Sequence, residues 1–131
     1  MNILIVDDET DVEILFRQKF RKEIKSGSIS LSFAFSGQEA LDFLSKENPP
    51  QVVYVFSDIN MPGMTGLELL KKIKEKFPQI NVSMISAYGD SENYEKAIDS
   101  GAKEFFTKPI DFEFLKKEIS ALVDKHKSEK G

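Results

Sequence analysis

The chain contains no cysteine in 131 residues, which removes disulfide frameworks and thiolate metal sites and is compatible with a reducing compartment. Its sole histidine, His126, lies in a charged C-terminal stretch and reads as a solvated side chain. The first apolar run, Ile3 to Val6, stops after four residues at two aspartates, too short for a signal peptide or a membrane span. No Lys/Arg run interleaved with aromatics occurs, and the formal net charge of −4 argues against a nucleic-acid surface. Internal repeats and low-complexity segments are absent as well. These exclusions leave one soluble, cytoplasmic domain long enough for a single sizeable core.

What is present is an alternation of strand-length apolar runs with segments of helical period. Ile3 to Val6 reads as a buried strand. Thr10-Asp11-Val12-Glu13 then has the pattern of a capping box opening a helix, with Val12, Leu15, Phe16, Phe20 and Ile24 on one face and Ser26-Gly27 as its stop. Ile29, Leu31, Phe33 and Phe35 alternate with smaller residues, as in an edge strand. Ser36-Gly37-Gln38-Glu39 opens a second helix ending near Asn48-Pro49-Pro50, and Val52 to Ser57 is apolar enough for a strand buried on both faces. Thr65-Gly66-Leu67-Glu68 opens a third helix carrying Leu67, Leu70, Ile73 and Phe77. Val82 to Ser86 is a fourth strand, followed by a helix from Asp90 or Ser91 that Gly101 closes. Glu104 to Thr107 is a short fifth strand, and Asp111 caps a last helix with Leu115, Ile119, Leu122 and Val123 inward. Strict βα alternation implies a parallel sheet with right-handed crossovers and helices on both faces.

In such a sheet the binding crevice lies outside the carboxyl ends of the strands, where strand order reverses. The unusual polar residues fall at those ends: Asp7-Asp8-Glu9, Asp58, Ser86-Ala87 and Thr107-Lys108-Pro109. A pair of aspartates after an apolar run ordinarily just caps the next helix. The coincidence of four strand ends points instead to one site. Two unit charges about 4 Å apart repel by roughly 4 kcal/mol at an effective dielectric near 20, so a cation is expected among the carboxylates. Oxygen ligands from Asp7, Asp8 and Asp58 suit Mg²⁺ or Mn²⁺.

Asp58, on a central strand with a stiff turn behind it, is the best acceptor for a phosphoryl group. The metal would bridge that carboxylate and the phosphoryl oxygens, Lys108 would supply positive charge, and Ser86 and the backbone N–H of Ala87 would supply donors. Two other chemistries fit less well. A phosphohydrolase of the haloacid-dehalogenase kind places a second acid two residues after its nucleophile, where this chain has Asn60, and an amide is no general acid. A flavin-binding flavodoxin-like protein needs backbone donors for phosphate in the first βα loop, which here holds three acids. Met61 and Met64 read as loop packing. The lysines 116, 117, 125, 127 and 130 read as the exposed face of the last helix.

Together, Asp7-Asp8, Asp58-Ile59-Asn60-Met61-Pro62-Gly63 with Gly66, Ser86-Ala87 and Lys108-Pro109 resemble the receiver domain of two-component response regulators. The resemblance runs from Met1 to about Val123, with residues 124–131 left as a polar tail or the stub of a linker to an output domain. It implies a flavodoxin-like (βα)5 fold, a doubly wound parallel sheet of strand order 2-1-3-4-5. It implies a phosphorelay switch, with Asp58 becoming 4-aspartylphosphate at the expense of a sensor histidine kinase or phosphotransfer protein. Asp8, Asp58 and the backbone carbonyl of Asn60 would ligate Mg²⁺ directly, and Asp7 largely through water. The resemblance further implies that Ser86 moves inward on phosphorylation while Phe105 rotates behind it, and that the Lys108–Pro109 bond is cis, turning Lys108 toward the site. Asn60 and Tyr88 would flank the path of attacking water. The chemistry would be performed on the chain itself, without turnover of an external substrate. The downstream target is not specified by the sequence, and the mixed charges of Glu92, Glu95, Lys96, Asp99, Lys116 and Glu118 suit either a monomer or a phosphorylation-dependent homodimer.

Overall fold

In the computed structural model, residues 1–46, 50–86 and 91–130 are described, residues 91 and 123–130 by their backbone alone. Five strands form one parallel sheet in the order β2-β1-β3-β4-β5. They are β1 (Asn2–Val6), β2 (Ser30–Ala34), β3 (Val52–Asp58), β4 (Asn81–Ser86) and β5 (Phe105–Thr107). The helices are α1 (Asp11–Lys19), α2 (Arg21–Ser26), α3 (Gly37–Ser45), α4 (Gly66–Lys76), α5 (Ser91–Asp99) and α6 (Phe112–Lys130). None of the described helices is long and apolar enough to cross a membrane.

The sheet divides the core in two, as the period-two alternation of strand side chains requires. Ile3 and Ile5 of β1 join Phe16, Phe20, Tyr54, Phe56, Phe106, Leu115 and Ile119 beneath α1, α2 and α6. Leu4 and Val6 join Leu44, Val55, Leu69, Leu70, Ile73, Val82 and Ala97 beneath α3, α4 and α5. Truncation of a fully buried leucine such as Leu70 costs about 2–5 kcal/mol in such cores, so both layers contribute to holding the strand ends in register. Strand order reverses between β1 and β3, whose pairing sets Val6 beside Ser57. The carboxyl ends of these two strands therefore open the crevice expected of an open α/β sheet.

Local sequence accounts for most boundaries. Ser36 Oγ accepts from the Glu39 N–H at 3.1 Å and Thr65 Oγ1 from the Glu68 N–H at 3.2 Å, so two of the expected caps open α3 and α4. Asp111 Oδ1 accepts from the N–H groups of Glu113 and Phe114 at the start of α6. Gly101, at φ +101°, closes α5: the N–H of Ala102 bonds the carbonyl of Ala97 and that of Gly101 bonds Ile98, the paired bonds of a Schellman stop.

The first helical segment departs from its pattern in three ways. Thr10 is itself in the helical region and its side chain accepts no capping bond. Ahead of the helix, Asp7 Oδ1 instead takes the Glu9 N–H at 2.9 Å, a bond within the loop. The expected single helix is divided at Phe20, whose backbone turns to φ −104° and ψ 17°. Neither Pro nor Gly lies there, so packing sets the bend. Phe20 stacks on Phe16, both meet the edge of Phe112, and Lys116 lies 5.3 Å from the Phe20 ring centroid while pairing with Glu23 of α2 at 3.2 Å. Lys116, expected on the exposed face of the last helix, is thus engaged between helices. Finally, Leu15, expected inward, is partly exposed, and its neighbour Ile14 is 61% exposed.

Candidate functional site

Asp58 is the last residue of β3 and Asp7 the first after β1, and parallel pairing of the two strands brings both carboxylates to one end of the sheet. Both are buried, at 5% and 4% exposure, whereas Asp8 beside them is exposed. One carboxylate oxygen from each of Asp7, Asp8 and Asp58 lies within 4.8 Å of the others. Lys108, just past β5, reaches in from the far side of β4. Its Nζ stands 3.7 Å from Asp7 Oδ2 and 3.7 Å from Asp58 Oδ2. Its backbone is fixed by the Lys108 N–H donating to the Ser86 carbonyl at 2.7 Å, and the Lys108–Pro109 peptide is cis.

The electrostatics follow from this placement. Burial, and after it the charge of Asp7, pushes the Asp58 carboxyl up to about 6, against the opposing effects of Lys108 and the Asn60 backbone N–H. Burial also raises Asp7, against the Glu9 N–H and Lys108. One lysine cannot neutralise three ionised carboxylates, so the group retains excess negative charge. The donor set is all hard oxygen, and an octahedral Mg²⁺ with bonds of about 2.1 Å sets its ligand atoms roughly 3–4 Å apart. The spacing and chemistry of Asp7, Asp8 and Asp58 fit a small divalent cation.

The loop after Asp58 is pinned by backbone contacts. The Ile59 N–H donates to Ile85 O at 3.0 Å and the Gly66 N–H to Ile59 O at 2.8 Å. A β-carbon on Gly66 would meet the Asp58 carbonyl oxygen, and Met64 covers Gly37 so closely that a β-carbon there would strike its Sδ. Met61 is buried in the core and Gly63 takes φ +74°, so the loop returns to α4 as a tight, well-packed turn.

The remaining sequence-derived candidates distribute as follows. Ser86 ends β4 fully buried, its register partner Thr107 next to Lys108. Phe105 is half-buried, and its ring meets that of Tyr94 on α5 edge to face at 5.3 Å between centroids. Asn60 is exposed beside Asp58. Ala87 and Tyr88 lie outside the described residues, as does the side chain of His126. Two features were not anticipated. Ser57 Oγ donates to the Asp58 carbonyl at 3.0 Å, for which the only sequence signal was one polar residue in an otherwise apolar run. The exposed Ile14 and Leu15, on the first turns of α1, follow Asp8 by a few residues; the period places Leu15 in the core and gives Ile14 no role.

Comparison with known proteins agrees with this geometry. Residues 3–120 match the family model of the response regulator receiver domain. The chain is 35% identical over 114 residues to sporulation initiation phosphotransferase F of Bacillus subtilis, covering 87% of this chain and 86% of that protein. It is also 35% identical over 121 residues to the DNA-binding transcriptional regulator NtrC of Klebsiella pneumoniae, but there spans 92% of this chain and only 24% of the relative. Among solved structures, a CheY-like receiver domain protein from Methanospirillum hungatei superposes with a TM-score of 0.83 at 27% identity, covering 98% of this chain and 97% of that one. A receiver domain protein from Clostridium thermocellum gives 0.83 at 25% identity, with 96% of each chain covered. With the fold, the strand-end carboxylates and the family match in agreement, the chain belongs to the response regulator receiver domain family, as a phosphoryl-accepting signalling switch.

Proposed function

We propose that Asp58 accepts a phosphoryl group from a phosphohistidine on a sensor histidine kinase or phosphotransfer protein, and that the chain relays this event through a change at its surface. The observation that carries the reading is the single Lys108 ammonium at 3.7 Å from both buried carboxylates, Asp7 and Asp58. With its carboxyl near 6, Asp58 is ionised at neutral pH and serves as nucleophile. One of its oxygens forms a bond to phosphorus as the donor's P–N bond breaks, and that electron pair leaves with the imidazole, which takes up a proton. Asp7, Asp8, Asp58 and the Asn60 carbonyl would hold Mg²⁺ or Mn²⁺, which when bound offsets the charge gathered on carboxylates and phosphoryl oxygens. Lys108 holds a fixed positive charge beside the acceptor, and the pinned 59–66 loop keeps the carboxylate oriented without reorganisation. Ser86, buried at the end of β4, would add a hydroxyl to the donor set.

Output runs through β5 in this reading. Phe105, three residues before Lys108, packs edge to face on the exposed Tyr94 ring, so a change in its rotamer would alter the α5 surface directly. Docking of the donor falls to α1 in the same reading, where Ile14 and Leu15 expose apolar surface on the helix that follows the Asp7–Asp8 strand end. The test is incubation with acetyl phosphate and Mg²⁺. The wild type gains the mass of one phosphoryl group and Asp58→Asn does not; an unchanged wild-type mass overturns the reading.

A further inference from the structure

We infer that Ser57 is a positioning residue for the acceptor, holding the peptide that follows Asp58 so that the Asp58 carboxylate and the Asn60 carbonyl are presented together. The inference rests on reading Asp58 as the acceptor. Ser57 is fully buried in β3, where an apolar side chain would avoid the cost of desolvating a hydroxyl. Its Oγ donates at 3.0 Å to the carbonyl of Asp58, and this is the oxygen against which the bare α-carbon of Gly66 closes.

The same peptide is gripped on its other side by the Ile59 N–H bond to Ile85 O, and the next peptide by the Gly66 N–H bond to Ile59 O. The Asn60 N–H then turns back to the Asp58 carboxylate. Ser57 therefore supplies the side-chain bond made directly to the Asp58–Ile59 peptide, in a run of bonds that begins at the acceptor and ends at the opening of α4. Loss of that bond frees the Asp58–Ile59 peptide to rotate and carries the Asn60 carbonyl with it. A hydroxyl serving only to satisfy itself would affect global stability and nothing at the site.

The experiment uses the full chain with Ser57→Ala and the hydroxyl-retaining Ser57→Thr. Amide hydrogen exchange of Ile59, Asn60 and Gly66 is measured without metal, Mg²⁺ affinity by amide chemical shifts, and phosphorylation by acetyl phosphate at saturating Mg²⁺. In Ser57→Ala, exchange at these amides rises beyond the global change in stability. Mg²⁺ affinity and phosphorylation rate each fall about tenfold, the scale on which residues supporting a metal ligand act, and Ser57→Thr recovers both. If Ser57→Ala fails to fold, the isosteric Ser57→Cys, a weak donor, is read in the same way. Site exchange and Mg²⁺ affinity within about twofold of wild type in a folded Ser57→Ala chain overturn the inference. A wild type that binds Mg²⁺ but takes no phosphoryl group overturns the acceptor reading instead, and the exchange and affinity measurements still decide the role of Ser57.

Discussion

A β-carbon built on Gly66 would stand 2.1 Å from the carbonyl oxygen of Asp58. The start of α4 is thus in direct backbone contact with the acceptor strand, and any side chain must push the two apart. Gly66→Ala is expected to cost about 1–3 kcal/mol of stability, the range for overpacking. Because the shift falls on the peptide after Asp58, Mg²⁺ affinity should drop as well. Chemical denaturation and metal titration of the variant check the two effects separately.

The fold could be read from the sequence because each signal was local and the signals agreed. Ser36 and Thr65 cap the helices that their patterns announce, and Gly101 stops α5 as its position suggests. The grouping of Asp7, Asp8, Asp58 and Lys108 could be read because strand ends carried groups that are costly to bury alone, and parallel pairing must bring such ends together. The division of α1 from α2 could not, because nothing in Lys19-Phe20-Arg21 forbids a helix; it arises from Phe112 and Lys116, more than ninety residues away. Leu15 misled for a related reason. Helical period marks an apolar face but does not say whether the protein or a partner covers it.

The pH dependence of stability follows from the Asp58 carboxyl near 6. An unfolded aspartate titrates near 3.9, so between about pH 4 and 6 the folded chain holds a proton that the unfolded chain has released. Stability of the metal-free protein therefore falls as pH rises through this window, by at most about 1.4 kcal/mol per pH unit from this group. Asp7 is shifted in the same direction. Asp58→Asn should flatten the profile and raise the unfolding midpoint at neutral pH. Added Mg²⁺ should stabilise the wild type more than the variant. Thermal unfolding between pH 4 and 8, with and without Mg²⁺, measures all three.

Lys108 is shared equally by Asp7 and Asp58 at 3.7 Å, while its backbone ties β5 to the end of β4 through Ser86. Its charge supports the site and its placement connects the site to Phe105. Lys108→Ala is expected to retain Mg²⁺-dependent phosphorylation on Asp58, since the acceptor and the metal ligands remain. What should disappear is the change that phosphorylation produces around Phe105 and Tyr94. Amide and aromatic chemical shifts of the phosphorylated variant, compared with its unphosphorylated form, decide the point.

Ile14 is the most exposed of the large apolar side chains described, at 61%. An isolated exposed isoleucine calls for no explanation, but this one stands beside the partly exposed Leu15, six residues after Asp8, on the helix that follows the carboxyl end of β1. Under the proposed docking on α1, a donor that brings a phosphohistidine to Asp58 covers this surface, whereas acetyl phosphate does not touch it. Ile14→Lys should leave stability within about 0.5 kcal/mol of wild type, because the side chain is largely solvated. Transfer from a phosphohistidine donor protein that phosphorylates the wild type should slow about tenfold or more, equivalent to roughly 1.4 kcal/mol at the contact. The rate with acetyl phosphate should be unchanged. Equal slowing with both donors would place the effect inside the acceptor site and remove α1 as the docking surface.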